Sequence, residues 1–338
     1  MKSKTDGSKI KAETTKILDD SITYNLNDIT AAPVMEVDQL HAANVFKPRV
    51  WLITDCGSAL GRNLAVEALL KGHYVAAACR QENVASLKSM LLSDFSDRLM
   101  VIELDPRNKP LCQSCVAEVV LRWHRIDVVV NCSNKSIVGT VEEASEWHVR
   151  EQFESAFYGP VNIISTVLPA MRKQNGGHII CVTGLVGYTG TPSLGILSTA
   201  MHALEGYSEA LAFEVASFNV KVTIVEPTVE EMVLANPAVF TRQIDDYKNT
   251  VSATVRSLMS RTDCVPDQLV KDSVLAIMSI AGIENPPGRI VAGVDAIEQI
   301  RDKLRTVSEE MEDMLEVSYA ADLEPLTERQ QSELFGGE

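Results

Sequence analysis

The sequence alternates regularly between short apolar runs and longer amphipathic stretches, and this alternation restricts the fold more than any other feature. The apolar runs are rich in Val and Ile, as is typical of strands buried on both faces, and lie at 50–54, 74–79, 99–104, 126–130, 178–183, 220–226 and 289–292. Stretches with helical spacing lie at 60–71, 83–93, 111–124, 146–173, 197–216, 265–281 and 296–316. Strands that alternate with helices predict right-handed crossovers and a parallel sheet. We therefore predict a doubly wound α/β fold with about seven strands.

The ends of the chain differ in character from its centre. Residues 1–47 are polar with little periodicity, and we interpret them as a flexible N-terminal extension with room for one short helix. The α/β domain is expected over 48–325, followed by a tail at 326–338. The N-terminus lacks the apolar region of a secretory signal, and the seven cysteines are scattered, as in a reducing compartment. The sequence thus predicts a cytoplasmic protein.

The charge balance excludes several classes of partner. The chain has 31 Lys and Arg against 46 Asp and Glu, which gives a formal net charge of −15. Such a chain repels phosphate backbones and anionic membrane surfaces, so we expect no nucleic-acid or membrane partner. No apolar run approaches the roughly 20 residues of a membrane span. The six histidines show no metal-ligand spacing, so no metal site is predicted.

The turn after the first predicted strand carries a family resemblance. It runs from Thr54 to Gly61 and resembles the Thr-Gly-x-x-x-Gly-x-Gly turn of the short-chain dehydrogenase/reductase family, whose fold is Rossmann-like. In that alignment Asp55 and Ala59 replace the first two glycines, and Gly61 alone is kept. A carboxylate near a pyrophosphate is repulsive, and a Cβ at either turn position restricts the approach of the backbone to a ligand.

The resemblance continues in order and spacing over about 48–325. Leu104-Asp105 matches the end of the third strand, and Asn131 keeps the first residue of Asn-Asn-Ala-Gly. The family binds a nicotinamide dinucleotide, and Arg80 stands where members that prefer NADP place a basic residue for the 2′-phosphate. The cofactor-binding residues that the resemblance implies are Thr54, Leu60, Gly61, Arg80, Asp105 and Asn131. Weak binding of NADP and the absence of any cofactor both remain open.

The catalytic positions of the family are occupied by apolar or small residues. The resemblance places the catalytic Asn, Ser, Tyr and Lys at Ala156, Gly184, Leu197 and Met201. Leu and Met exchange no proton at neutral pH, so reduction of a carbonyl by the family route is not expected. Loss of the Lys also removes a cation that holds the cofactor ribose. Tyr188 and Ser198 are weak substitute candidates, since each is more simply explained as an ordinary hydroxyl.

Two further features have ordinary interpretations. Cys112-Gln113-Ser114-Cys115 is a C-x-x-C at a helix start, where a thiolate would be stabilised, but it lies on an outer helix of the wrong fold for dithiol chemistry.

Residues 229–262 fall where the family carries its substrate lid. Their apolar side chains are expected both to line a pocket and to pack on the core.

Three functions are consistent with these residues. The one we favour is a degenerate family member that binds a hydrophobic ligand of specialised-metabolite type and steers a non-redox step, because the replacements should enlarge and dry the cavity. The alternatives are an NADP-dependent oxidoreductase that uses substitute residues, and a non-catalytic regulatory partner. The resemblance also implies a homodimer or homotetramer, paired through the helices at 146–173 and 197–216.

Overall fold

Seven parallel strands form the central sheet of the protein. The computed structural model describes residues 47–314, without the side chains of residues 92 and 93. The predicted extension, apart from Lys47, and the predicted tail lie outside the described residues. The strands of this sheet are β1 (Val50–Ile53), β2 (Tyr74–Cys79), β3 (Leu99–Glu103), β4 (Val128–Asn131), β6 (Gly177–Val182), β7 (Val220–Glu226) and β9 (Arg289–Val291). Their order is β3-β2-β1-β4-β6-β7-β9, which confirms the predicted doubly wound sheet.

Helices cover both faces of this sheet. They are α1 (Ala59–Leu70), α2 (Gln81–Phe95), α3 (Lys109–Trp123), α4 (Glu146–Phe153), α5 (Gly159–Lys173), α6 (Gly195–Val215), α7 (Val229–Leu234), α8 (Val251–Leu258), α9 (Pro266–Leu269), α10 (Lys271–Ile280) and α11 (Val294–Asp313). Among the described residues no helix is both long and apolar enough to cross a bilayer.

The hydrophobic core has two layers because side chains alternate across each strand. Trp51 and Ile53 of β1 pack into one layer, whereas Val50 and Leu52 pack into the other. All four are 3% exposed or less. Burial on both faces explains why the strand sequences read as continuous apolar runs.

The direction of the crossovers reverses at β1, and this reversal locates the expected ligand crevice. β1 pairs with β2 on one side and with β4 on the other. The loops that follow β1 and β4 therefore diverge at the carboxyl edge of the sheet. In open α/β sheets ligands bind in the crevice outside this edge.

The structure adds three local features that the sequence analysis did not predict. A second, two-stranded parallel sheet joins β5 (Ser136–Val138) to β8 (Ala238–Phe240). The predicted helix at 146–173 is interrupted by one π-helical turn, Glu154–Tyr158. The region at 229–262 contains α7, β8 and α8. Three residues are too few to show a period, so the pattern did not reveal β5 and β8, whereas the equally short β9 lies within the apolar run predicted at 289–292.

We predict opposite effects for two glycine-to-alanine substitutions in helices. A Cβ on Gly61 would lie 2.5 Å from the backbone oxygen of Asp55, whereas a Cβ on Gly206 meets nothing within 4 Å. Gly61→Ala should lower the free energy of unfolding by about 2 kcal/mol, since the α1 backbone must shift. Gly206→Ala should raise it by about 0.5–1 kcal/mol through helix propensity. Urea denaturation measures both, and equal effects of the two substitutions would contradict this account of the first turn.

Candidate active site

The turn between β1 and α1 keeps a tight shape although two glycines are replaced. Ser58 caps α1: its Oγ accepts a hydrogen bond from Gly61 N at 3.2 Å and donates one to Asp55 O at 2.8 Å. Gly61 allows this close approach because it has no Cβ. Asp55 adopts φ +55°, a left-handed conformation that Asp tolerates better than most residues. The local backbone therefore forms a tight turn that leads directly into the capped N-terminus of α1.

A cleft of about 350 Å³ opens beside this turn. Asp55, Ser58 and Arg80 line one side, and residues 234–237 line the other. Burial raises the pKa of the Asp55 carboxyl, and the nearby Arg80 charge only partly opposes this shift. The Arg80 guanidinium has no hydrogen bond or ion pair within residues 47–314, so the cleft presents one cation that is free to bind an anion.

The other predicted cofactor residues serve mainly structural contacts. Thr54 is fully buried and links β1 to β4: its Oγ1 donates to Val130 O at 3.3 Å and accepts from Cys132 N at 3.1 Å. Leu60 is 5% exposed within the core. The structure thus brings Arg80 to the cleft but keeps Thr54, Leu60 and Gly61 in the interior.

Asp105 and Asn131 also lie apart from the Arg80 cleft. Arg107 binds the Asp105 carboxylate at 2.7 Å and bridges it to Glu151 at 3.0 Å. This hydrogen bonding lowers the pKa of Asp105. Asn131 ends β4 and is 2% exposed, and its amide lies next to the Cys181 thiol. Asp105 is therefore already paired within the protein, on the wall of a neighbouring cleft.

The four positions that the resemblance assigns to catalysis all lie in the buried interior. Ala156 and Leu197 are fully buried, Met201 is 1% exposed, and all three belong to the hydrophobic layer that also contains Met232. Gly184 adopts φ +71°, and a Cβ there would lie 2.2 Å from Met232 Cγ. No side chain at these four positions can donate or accept a proton in catalysis.

The packing corrects our expectation of an enlarged cavity. No open space lies beside Gly184, because Met232 of α7 fills it. Met is flexible and fits irregular gaps, so it packs well on a position that has no side chain. Sequence reasoning missed Met232 because it stands outside every motif of the resemblance.

The two substitute candidates have other partners. Ser198 is 3% exposed, and its Oγ donates a long hydrogen bond to Thr189 O at 3.5 Å. The ring of Tyr188 is half-buried, and the Arg289 guanidinium carbon lies 5.5 Å from its centre. Of the two, Tyr188 alone combines partial exposure with a neighbouring cation.

A charge cluster, which the sequence analysis did not identify, holds the middle of α6 through Glu205. Arg289 pairs with Glu205 at 2.8 Å and also contacts Glu226, whose side chain is fully buried. Thr183 Oγ1 donates to Glu205 at 2.8 Å. These contacts join the ends of β6 and β7 to β9 and α6. They fix the helix that carries Leu197 and Met201.

The C-x-x-C pair is inert in this fold. Cys112 and Cys115 are both buried. Burial raises the pKa of Cys112 to about 11 and that of Cys115 to about 12, so both are thiols at neutral pH. Within residues 47–314 no group of three or more His, Cys, Asp or Glu side chains is arranged to hold a metal ion.

We predict that Gly184 and Met232 are energetically coupled. Gly184→Ser should lower the free energy of unfolding by about 3 kcal/mol, because it combines a left-handed backbone with a steric overlap. Met232→Ala should cost about 3 kcal/mol through the cavity that it leaves. The loss of unfolding free energy in the double variant should be smaller than the sum of the two single losses by at least about 1 kcal/mol. The reason is that alanine at position 232 makes room for the serine at position 184.

Urea denaturation of the four proteins measures this coupling. Gly190→Ser is the control, because a Cβ at Gly190 meets nothing within 4 Å. Additive effects within about 0.5 kcal/mol would contradict direct packing of Met232 on Gly184.

Comparison with known proteins supports the fold and places the chain among its relatives. The family model described as short chain dehydrogenase matches residues 49–239. The chain is 32% identical over 254 residues to a 3-ketodihydrosphingosine reductase of Bacteroides thetaiotaomicron. The aligned region covers 73% of this chain and 88% of the relative.

Solved structures agree with this result. A short-chain dehydrogenase from Streptomyces avermitilis is 29% identical, with a TM-score of 0.74 over 82% of this chain and 100% of that chain. A short chain dehydrogenase/reductase from Burkholderia phymatum in complex with NAD shares the fold at 16% identity, with a TM-score of 0.64 over 78% of this chain and 96% of that chain. The chain therefore belongs to the short-chain dehydrogenase/reductase family.

Proposed function

We propose that this protein is a family member that does not transfer hydride by the family route, and that it acts by binding a hydrophobic ligand in the region of the former catalytic positions. The observation that carries this proposal is that Ala156, Leu197 and Met201 are buried in one hydrophobic layer with Met232, which also packs against Gly184. A carbonyl oxygen placed there would find no proton donor and no cation. Binding, or a step that needs only orientation, is the remaining use of such a site.

The apolar surroundings favour a hydrophobic ligand over a polar one. Each Å² of apolar surface that a ligand buries there would contribute about 25 cal/mol. The relative from Bacteroides thetaiotaomicron is named for a lipid ketone, which supports the same class of ligand. Any ligand must displace Met232, since this side chain fills the space at Gly184.

The residues at the β1–α1 turn do not fit a tightly held dinucleotide. Gly61 and the unpaired Arg80 favour a phosphorylated cofactor, but Asp55 places a carboxylate beside the turn and Met201 supplies no charge for a ribose. We therefore derive no step through a nicotinamide cofactor. The family membership makes NADP the cofactor to test, and its binding is expected in the millimolar range.

We predict that Asp55→Gly improves the binding of NADPH. Removing the carboxylate relieves its repulsion of the cofactor phosphates and restores the conformational freedom of a glycine at a φ of +55°. The dissociation constant should fall tenfold or more, which corresponds to about 1.4 kcal/mol. Isothermal titration calorimetry at physiological salt measures it. Glu82→Gln is the control, because it removes an acidic group from the same cleft but away from the turn. It should change the affinity for NADPH much less. A micromolar constant for the wild-type protein would contradict the prediction.

A second candidate is an NADP-dependent oxidoreductase that uses substitute residues. The packing of the half-buried Tyr188 ring on the Arg289 guanidinium favours it, because this contact holds in place a ring that carries a hydroxyl proton donor. Removal of this hydroxyl by Tyr188→Phe should then abolish consumption of NADPH with apolar ketones. If the protein is the ligand-binding member that we favour, neither form consumes NADPH.

The main proposal predicts ligand binding without turnover. Wild-type protein should bind N-phenyl-1-naphthylamine, an uncharged apolar fluorophore, and should not oxidise NADPH in the presence of apolar ketones or aldehydes. Fluorescence titration and absorbance at the NADPH band measure the two quantities. Steady consumption of NADPH would refute the proposal, and absence of both activities would favour a non-catalytic regulatory partner.

We also propose a cytoplasmic homodimer or homotetramer. Exposed aromatic side chains on the outer surface of α6 and on the turn before α5 support an oligomer. Phe213 is 86% exposed and Tyr158 is 50% exposed. Light scattering on the purified protein tests this state of assembly.

A further inference from the structure

The helix α11 carries an apolar stripe that the domain does not cover. This helix is anchored at its start, where Ala296 is fully buried and Ile300 packs against the same hydrophobic layer. Every residue from Arg301 to Met314 is exposed. Leu304 is 53% exposed and Met311 is 66% exposed. The greater part of the helix therefore leaves the surface of the domain with large apolar side chains in water.

The stripe has the spacing of a coiled coil. Its residues lie alternately three and four positions apart and are Ile297, Ile300, Leu304, Val307, Met311 and Met314. This is the heptad pattern, in which the apolar a and d positions face a second helix. The last four residues of the stripe are all exposed. Residues 47–314 therefore leave the stripe open to a second helix.

The charges on α11 are divided between its two ends. Three basic residues lie at 301–305, and four acidic residues lie at 309–313. Two copies that run in the same direction would place one acidic end against the other. Two copies that run in opposite directions would place each basic part against an acidic part, so the charges favour antiparallel pairing.

One antiparallel register suits both the stripe and the charges. With Leu304 opposite Val307 of a second copy, all six stripe positions meet apolar partners. The positions beside the stripe then bring Lys303 opposite the second copy's Glu310, twice by symmetry. A shift by one heptad in either direction would instead place Lys303 opposite Lys303, or Glu310 opposite Glu310.

Lys303 and Glu310 are free to make this contact. Neither side chain has an ion pair or a hydrogen bond within residues 47–314. Arg305, on the outer face of the helix, instead pairs with Asp302 at 3.1 Å and lies 3.9 Å from Glu309. The outer basic residue is thus paired within the helix, whereas Lys303 beside the stripe keeps its charge for a partner.

An anionic membrane is a poorer partner for this stripe than a second helix. α11 carries seven acidic residues against three basic ones and has no Trp, Phe or Tyr. Helices that lie on such membranes are instead rich in Lys and Arg on the polar face, often with aromatic side chains on the other.

We propose that α11 pairs with the α11 of a second copy of this chain as an antiparallel two-stranded coiled coil. Leu304 packs on Val307, and Lys303 pairs with Glu310, across the twofold axis. This contact is separate from the surface at Phe213 and Tyr158, and it does not depend on the ligand-binding function proposed above.

Analytical ultracentrifugation of the full-length chain tests the pairing. Leu304→Asp places a charge in the apolar seam and should weaken one twofold step of assembly by about a hundredfold or more. The thermal unfolding midpoint of dilute protein should stay unchanged, because Leu304 is exposed in the single chain. Thr306→Asp is the matched control, since it adds the same charge to the outer face of α11. A monomeric wild type, or equal assembly of the wild type and Leu304→Asp, would overturn the proposal.

Charge reversal tests the orientation of the two helices. Lys303→Glu and Glu310→Lys should each weaken the same step by about tenfold, because each places like charges opposite one another. The double variant Lys303→Glu/Glu310→Lys should recover the wild-type association. Arg305→Glu makes the same change of charge on the outer face and should have little effect. Single variants without effect, or a double variant that does not recover, would overturn the antiparallel register.

Vesicle sedimentation separates this proposal from membrane binding. Neither the wild type nor Leu304→Asp should sediment with vesicles of phosphatidylserine and phosphatidylcholine. Sedimentation of the wild type that Leu304→Asp abolishes would assign the stripe to a membrane and overturn the pairing.

Discussion

Burial of the parallel sheet on both faces is the constraint on which the rest of this structure depends. Trp51 and Ile53 need a helical layer on one side, and Val50 and Leu52 need one on the other. The crossover helices supply both layers, and the carboxyl ends of all seven strands consequently meet at one edge. The β1–α1 turn, Gly184 and α7 all follow strands at this edge. Their neighbourhood is thus a consequence of how the core is built.

At that edge the space beside one backbone position is taken up by packing. Met232 lies where a side chain at position 184 would stand. Gly184→Ser would therefore place a side chain on a left-handed backbone and against the methionine. The Arg289–Glu205–Glu226 cluster joins β7 and β9 to α6 and holds this helix in place.

The cleft beside the β1–α1 turn and the segment at 229–259 differ in their polar contacts. Ser58 and Gly61 hold the turn in a tight shape, yet Asp55 opposes the phosphates that such a turn usually binds. Arg80 lines the cleft and has no hydrogen bond or ion pair within residues 47–314. The segment at 229–259, by contrast, is tied to β5 by the polar contacts of Glu143 and Arg256.

The sequence by itself determined the order and type of the main elements, because apolar runs and helical periods record burial residue by residue. The assignment of the catalytic positions to Ala156, Gly184, Leu197 and Met201 rests on the family resemblance and stays a prediction. Only the tertiary structure decided how the space beside them is used. Three contacts join segments that are about 50 to 110 residues apart: Met232 with Gly184, β5 with β8, and Glu143 with Arg256. No local sequence pattern marks the residues that make these contacts. The reason is physical: periodicity reports which side of an element is buried, whereas contacts between distant segments depend on which side chains the folded backbone brings into reach.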